Sequence, residues 1–462
     1  MANASRTLRK IGLPVIVCMV IIACSSEPPI VDPTTSPSPG SATTTPVTTS
    51  PVTTSPVTTS PVTTSPVTTS PVTTTPPGDT DSPDASTSLP APRVLTVEVL
   101  ITDLENPRGI GVDTEGALLV AEAGYGEDAE DLILRTGRLT RFRDRNGDGD
   151  FDDPEETERW LDNLFSFNSV NKYETGRDEV SGATDVLVHD DGRVFLSLDG
   201  GIDRTGGTFI LYELDGNGTL LREINQDSNM TGIGFSPDQR SVYATQSTHN
   251  SLIEIDLERG ENRQIVVFDD LYSGQQSVPA GLGVDPTTGD VLVALFSGVA
   301  KAEGEACRFV PDVMCDGRYL PLIPTDAKVV RVDPESGAVS DEVTGLTAAV
   351  DVAADAAGNV FVVEMAADYG QLFHPGVDLF LADLPALHGG YVRFSGRVTM
   401  YPAGGGESRI LAEGLDQPTN ITVALDGALY VSTGQGTPGR PIPGPNGRTV
   451  ITGEVLRISG YK

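Results

Sequence analysis

The densest run of chemically capable residues is Asp144-Arg145-Asn146-Gly147-Asp148-Gly149-Asp150-Phe151-Asp152-Asp153-Pro154-Glu155. It fits the calcium-loop pattern D-x-[DN]-x-[DN]-G-x5-E, with Asp144, Asn146 and Asp148 as the first, third and fifth ligands and Gly149 at the sharp turn. Asp150 would offer its carbonyl, Asp152 a direct or water-mediated contact, and Glu155 both oxygens of a closing carboxylate. So many carboxylates in so short a stretch repel one another unless a cation lies between them, so the spacing predicts a structural Ca2+. The flanks RLTRFR and ETERWLDNL read as strands, which makes the loop a β-hairpin tip and not the link between two helices. Pro154 departs from the helical version of the loop and weakens the part given to Glu155, and a solvated Asp/Gly hairpin tip is the alternative.

Other reactive types are sparse. Cys307 and Cys315 are the only cysteines beyond residue 24, and their spacing permits a loop disulfide in an oxidising compartment without requiring one. The four histidines (His189, His249, His374 and His388) are far apart in sequence, so a His-rich zinc site is not expected. Gly434-Gln-Gly436-Thr-Pro-Gly439 matches G-x-G-x-x-G but runs into RPIPGPNGR, which cannot open a helix, so no dinucleotide site is expected. There is no G-x-S-x-G elbow, phosphate-binding P-loop or H-E-x-x-H.

These residues must be placed by a repeated element. Six segments share one shape: a turn, an alternating apolar strand, a Gly/Asp/Asn turn and a second apolar strand. They are LENPRGIGVDTEGALLVAE (104–122), VSGATDVLVHDDGRVFLSL (180–198), NMTGIGFSPDQRSVYATQ (229–246), VPAGLGVDPTTGDVLVAL (278–295), LTAAVDVAADAAGNVFVVE (346–364) and LDQPTNITVALDGALYVST (415–433). Each is expected to be a hairpin with a tight turn, and turn aspartates such as Asp113 and Asp285 serve local hydrogen bonds. The period is near or above the ~40 to 45 residues of a four-stranded propeller blade, which predicts an all-β, six-bladed propeller over residues 93–462. The strand-like RVLTVEVLITDL (93–104) would complete the last blade and close the ring. Ligand sites in such rings gather at the channel mouth, where Asn106, Arg108, Glu122, Asp185, Asn229, Asp351, Glu364 and Asn420 are the candidates. Three or more of Glu122, Asp185, Asn229, Asp351, Glu364 and Asn420 converging within metal-ligand distance would favour an enzyme, and residues scattered around the rim would exclude that reading.

The repeat text, with the final GEVLRI, resembles the ScyD/ScyE family of exported six-bladed propellers over nearly all of 93–462. That resemblance implies an extracytoplasmic propeller acting as a ligand- or protein-binding module, with no established reaction. Single repeats are also similar to NHL-repeat proteins and to SMP-30/gluconolactonase-like enzymes, which implies metal-dependent lactonase or sugar dehydrogenase activity as the alternative. NMTGIGFSPD departs from the lactonase motif by an insertion at Met230–Thr231, and Gln246-Ser247 stands where that family has Asp-Ser. His189 is the one candidate for the dehydrogenase's catalytic histidine, in a turn position.

The N-terminal part has another character. Residues 5–24, SRTLRKIGLPVIVCMVIIAC, pair a basic start with a short apolar run, the size of an export signal and too short to span a bilayer. Its end resembles a bacterial lipobox, which implies cleavage after residue 23, acylation of Cys24 and an anchor on the outer face of a membrane. Residues 24–92 contain PVTTS repeats with no aromatic residue, a composition that cannot offset chain entropy and favours extended polyproline II as a spacer. The first 24 residues carry +3 and residues 25–92 carry −5, so −32 of the net charge of −34 belongs to residues 93–462. So acidic a body repels phosphate backbones: nucleic acid is not an expected partner, whereas cations, a small molecule or an extracytoplasmic protein are.

Overall fold

A computed structural model of the chain describes residues 94–125, 133–151, 153–168, 180–199, 209–296, 300–301, 319–320, 324–368, 387–388 and 391–462. The proposed signal and spacer, with Cys24, and the proposed disulfide of Cys307 and Cys315 lie outside the described residues.

Six antiparallel sheets make the body. Each predicted hairpin supplies the two inner strands of one blade: Pro107–Val112 with Leu118–Glu122, Ala183–Val188 with Val194–Leu198, Ile233–Phe235 with Ser241–Gln246, Pro279–Val284 with Val291–Leu295, Ala349–Ala354 with Val360–Glu364, and Asn420–Val423 with Leu429–Thr433. These are blades 1 to 6. The turns close as their composition demands: Asp113 Oδ1 accepts from the N–H groups of Glu115 and Ala117, both at 2.9 Å, and Asp355 Oδ1 from Ala357 (2.9 Å) and Asn359 (3.0 Å).

Blade 1 is the largest. Its third and fourth strands are Ile133–Phe142 and Thr157–Asn168, and Val180–Ser181 adds a fifth. Blade 6 is assembled from both ends of the body. Thr96–Leu104 pairs antiparallel with the C-terminal strand Gly453–Ser459, which in turn pairs with Leu429–Thr433. The ring is therefore closed by the N-terminal strand, as its sequence predicts.

The core is distributed by the same logic. Second strands such as Leu118–Glu122, Val194–Leu198 and Val360–Glu364 are buried along their whole length because both of their faces meet another sheet, hence their unbroken apolar runs. Six hydrophobic clusters fill the six blade–blade interfaces, for example Leu139, Phe165, Val186 and Leu196 between blades 1 and 2, and Ile101, Ile110, Phe142, Tyr430 and Val455 between blades 6 and 1. Neighbouring blades pack face to face through their side chains, and this leaves the backbone of each innermost strand facing the channel.

Candidate functional site

One equivalent position at or near the start of each innermost strand lines up around the ring: Gly109, Asp185, Gly232, Gly281, Asp351 and Asn420. Asp185 and Asp351 are 6 % and 2 % exposed. Each carboxylate bridges to the next blade: Ile233 N–H donates to Asp185 Oδ2 at 2.9 Å, and Ile421 N–H to Asp351 Oδ2 at 2.8 Å. The second oxygen of each takes the N–H of its own successor, Val186 or Val352, at 2.9 Å. Asn420 continues the belt, its Oδ1 accepting from Ile110 N–H at 3.0 Å. That bond fixes the amide, so Nδ2 faces the acids and donates to Asp351 Oδ2 at 2.8 Å, with Asp185 Oδ1 at 3.4 Å.

The glycines are required by the same geometry. A Cβ on Gly281 would overlap the Asp351 carboxyl, and one on Gly109 would overlap Asp185. Threonine hydroxyls one position earlier add further blade-to-blade ties: Thr184 Oγ1 donates to Met230 O at 2.8 Å and Thr419 Oγ1 to Pro107 O at 3.0 Å.

Burial without a paired cation raises the cost of ionising both acids. Asp185 is pushed up to about 7 despite two backbone donors. Asp351 lies well above the usual carboxylate range, through burial first and then the nearby charge of Asp185. The pair titrates together and does not hold two full charges near neutrality.

The belt divides the channel. On the side reached by the C-terminal ends of the innermost strands lies a funnel of about 300 Å³. Its walls are Ile110, Val188, Phe235, Leu282, Val352, Val423 and similar residues, and Asp185 and Asn420 form its polar floor. On the other side is a closed pocket of about 30 Å³, lined by Arg108, Thr184, Asp199, Asp351 and Asn420. This second space has room for one or two waters. Arg108 donates from its guanidinium to Val180 O at 2.9 Å.

Three of the six acidic and amide candidates therefore converge, and three do not. Glu122 is held within blade 1 by Arg138 at 2.8 Å, by Thr140 at 2.9 Å and by the N–H of Glu105 at 2.8 Å. Glu364 repeats that arrangement in blade 5 with Arg397 at 2.5 Å and Thr347 N–H at 2.9 Å. Asn229 is engaged by Ser247 and Thr248. Asn106 ties blade 1 to the segment between the second and third strands of blade 6 through both the carbonyl and the N–H of Gly436, at 2.6 and 2.8 Å. His189 occupies a hairpin turn, with Nδ1 at 2.8 Å from Asp191 and its ring edge-on to Phe235, so it serves the turn.

The converging trio fits a divalent cation poorly. Both carboxylates spend an oxygen on each of two backbone donors, and the third group presents an amide nitrogen where a ligand oxygen would be needed. Among the described residues no group of three His, Cys, Asp or Glu side chains is placed to hold a metal.

The acidic loop lies between the third and fourth strands of blade 1, as its flanks predict. Asp144 accepts the N–H groups of Gly147 (2.5 Å) and Gly149 (3.0 Å), and Asn146 Oδ1 that of Asp148 (2.8 Å). Asp152 is outside the described residues. Glu155 is exposed, and the carboxylate beneath the loop belongs to Glu156, one position beyond the sequence pattern. Sequence reading also missed this position as a set, although aligning the six repeats displays its Gly, Asp, Gly, Gly, Asp, Asn series.

Residues 159–345 match the family model described as the SMP-30/Gluconolactonase/LRE-like region. No curated protein sequence matches the chain. Among solved structures, the chain is similar to a Thermus thermophilus oxidoreductase described as a glucose dehydrogenase, at 16 % identity over 79 % of this chain and 100 % of that one, TM-score 0.44. It is also similar to the Trichoderma reesei carbohydrate-active enzyme of family AA12, at 12 % identity over 79 % of this chain and 96 % of that one, TM-score 0.45. A third is the PQQ-bound aldose sugar dehydrogenase of Streptomyces coelicolor, at 13 % identity over 80 % of this chain and 99 % of that one, TM-score 0.40. The protein is a six-bladed β-propeller, and its residues 159–345 are similar to the SMP-30/Gluconolactonase/LRE-like region.

Proposed function

We propose that this chain is a binding propeller of the ScyD/ScyE kind, exported and held by acylated Cys24 on the outer face of a bacterial membrane, with residues 24–92 as spacer. Its funnel takes a small ligand with an apolar body and a positively charged or hydrogen-bond-donating tip. The observation that carries this reading is the funnel itself, lined by the polar backbone of the innermost strands together with apolar side chains, with Asp185 at its floor. Its volume is at the lower end of the range usual for small-molecule sites, and the negative charge of the body attracts cations toward it.

The test is titration of the full chain with hexylamine and hexanoate as matched probes. The amine binds at least about tenfold more tightly than the carboxylate, and it gains affinity as pH rises through about 7, where Asp185 takes its charge. Asp185→Asn removes the preference. Equal binding of the two probes, or an unchanged preference in the variant, refutes the reading.

A metal-dependent lactonase or sugar dehydrogenase is the second reading, supported by the matched family region and not by the Asp185, Asp351 and Asn420 trio, whose oxygens are taken by backbone donors. A lactone and aldose panel with added Ca2+ separates the two. Turnover that disappears in Asp351→Asn makes the channel an active site; its absence across the panel leaves the binding reading.

A further inference from the structure

We propose that the ligand of the funnel is a short peptide with a free N-terminus, its α-ammonium seated at the floor and its first two residues extended along the innermost strands. This rests on the cation-binding reading of the funnel and names the chemical class that fits it. Each innermost strand ends its sheet, so it pairs with a second strand on one side only and turns the N–H and C=O of alternate residues to the channel. The hairpin bonds fix which residues these are. The N–H groups of Asp113, His189, Ser236, Asp285, Asp355 and Ala424 all donate across their own hairpins, at 2.8 to 3.0 Å. The residues just before them, Val112, Val188, Phe235, Val284, Ala354 and Val423, therefore present their backbone groups to the funnel mouth, and those two positions earlier do so at its floor.

The two tiers differ in what they offer. At the floor, belt oxygens take the N–H groups of Ile110, Val186, Ile233, Val352 and Ile421, at 2.8 to 3.0 Å, and leave the carbonyls of the same residues to the channel. A floor with acceptors in excess, beside the Asp185 carboxyl, suits a group that only donates, and an ammonium has three N–H bonds to give. At the mouth the donors are not taken, so each strand offers an N–H beside a C=O, and among the described residues these groups meet no protein partner. A peptide backbone matches that alternation, whereas an alkyl chain leaves it unanswered. The tiers are two residues apart, roughly 7 Å, which is also the rise of two residues of extended peptide. Leu425, in the blade 6 turn, lines the same mouth and is 87 % exposed, in place to meet an apolar side chain of the peptide.

The experiment is isothermal calorimetry of the full chain with four probes: leucyl-valyl-leucinamide, its N-acetyl form, its form N-methylated at the second and third residues, and hexylamine. The free tripeptide binds at least about tenfold more tightly than each of the other three. Asp185→Asn, its folding checked by thermal unfolding, brings the free and acetylated forms within about threefold of each other; an undiminished preference in the folded variant overturns the seat of the ammonium. Hexylamine binding as tightly as the tripeptide, or an N-methylated form binding undiminished, overturns the peptide assignment and leaves the cation-binding reading standing. Binding of neither the tripeptide nor hexylamine overturns both. The four probes are compared on wild type, so these outcomes do not depend on the variant.

Discussion

Two buried carboxylates at the waist of a channel give stability an uncommon dependence on pH. Asp185 titrates at about 7 in the folded protein, against about 3.9 for an unfolded aspartate. Between these values the folded chain keeps a proton that the unfolded chain releases, so raising pH across that interval favours unfolding, by on the order of a few kcal/mol. Asp351 is shifted in the same direction and adds to the effect. Turn aspartates such as Asp215, Asp256, Asp285 and Asp333 are shifted down, mostly by local backbone and side-chain donors, so the stability they contribute is lost only at more acidic pH. The melting temperature is therefore expected to be highest near about pH 4 and to fall as pH rises toward about 7. Asp185→Asn should flatten that fall. A wild-type profile that is level from about pH 5 to 8 would show that the belt carries no trapped proton. Residue types at these positions are visible in the sequence, but their burial and mutual distance are not, because Asp185, Asp351 and Asn420 are brought together from blades 2, 5 and 6.

Among the elements, the closing strand Thr96–Leu104 has the least local support and the longest reach. It meets the C-terminal strand in six register pairs, from Thr96 with Ser459 to Leu104 with Gly453, and Arg457 reaches Glu98 at 3.1 Å. Ile101 and Leu104 are buried in the seam between blades 6 and 1. Deleting residues 94–104 uncovers one edge of blade 6 and removes these two apolar anchors. The expected result is a melting temperature at least about 10 °C lower and concentration-dependent association by light scattering, since an unpaired edge recruits other strands. A monomer of unchanged stability would mean that the ring does not depend on this closure. The inner hairpins were legible because period-two apolar runs around Gly/Asp turns recur six times, and the structure has every one. The acidic tip was legible as a hairpin cap for the same reason. Which glutamate lies beneath it was not, because the turn Pro154–Glu156 is a short 3-10 segment that rotates Glu155 outward and Glu156 inward.

At the scale of the whole molecule, the proposed anchor and spacer determine where the propeller works. If Cys24 carries the lipid, Cys24→Ser moves the protein from the membrane fraction to the soluble extracytoplasmic fraction. Fractionation followed by mass analysis of the mature N-terminus checks this. Membrane retention of the variant would refute acylation at Cys24 as the anchor.

Taken alone, the sequence determined the number of blades, the closing strand, the acidic body and the hairpin position of the acidic tip. Each follows from local periodicity, composition or charge, which neighbouring residues specify together. Only the tertiary structure decided that Asp185, Asp351 and Asn420 form one belt while Glu122, Glu364 and Asn229 serve their own blades. It also decided that Glu156 replaces Glu155 under the acidic loop. Both outcomes depend on which side chains end up buried beside which backbone donors. For the belt, ring closure makes that selection by bringing distant strands to within hydrogen-bond distance; for Glu156, the local turn does.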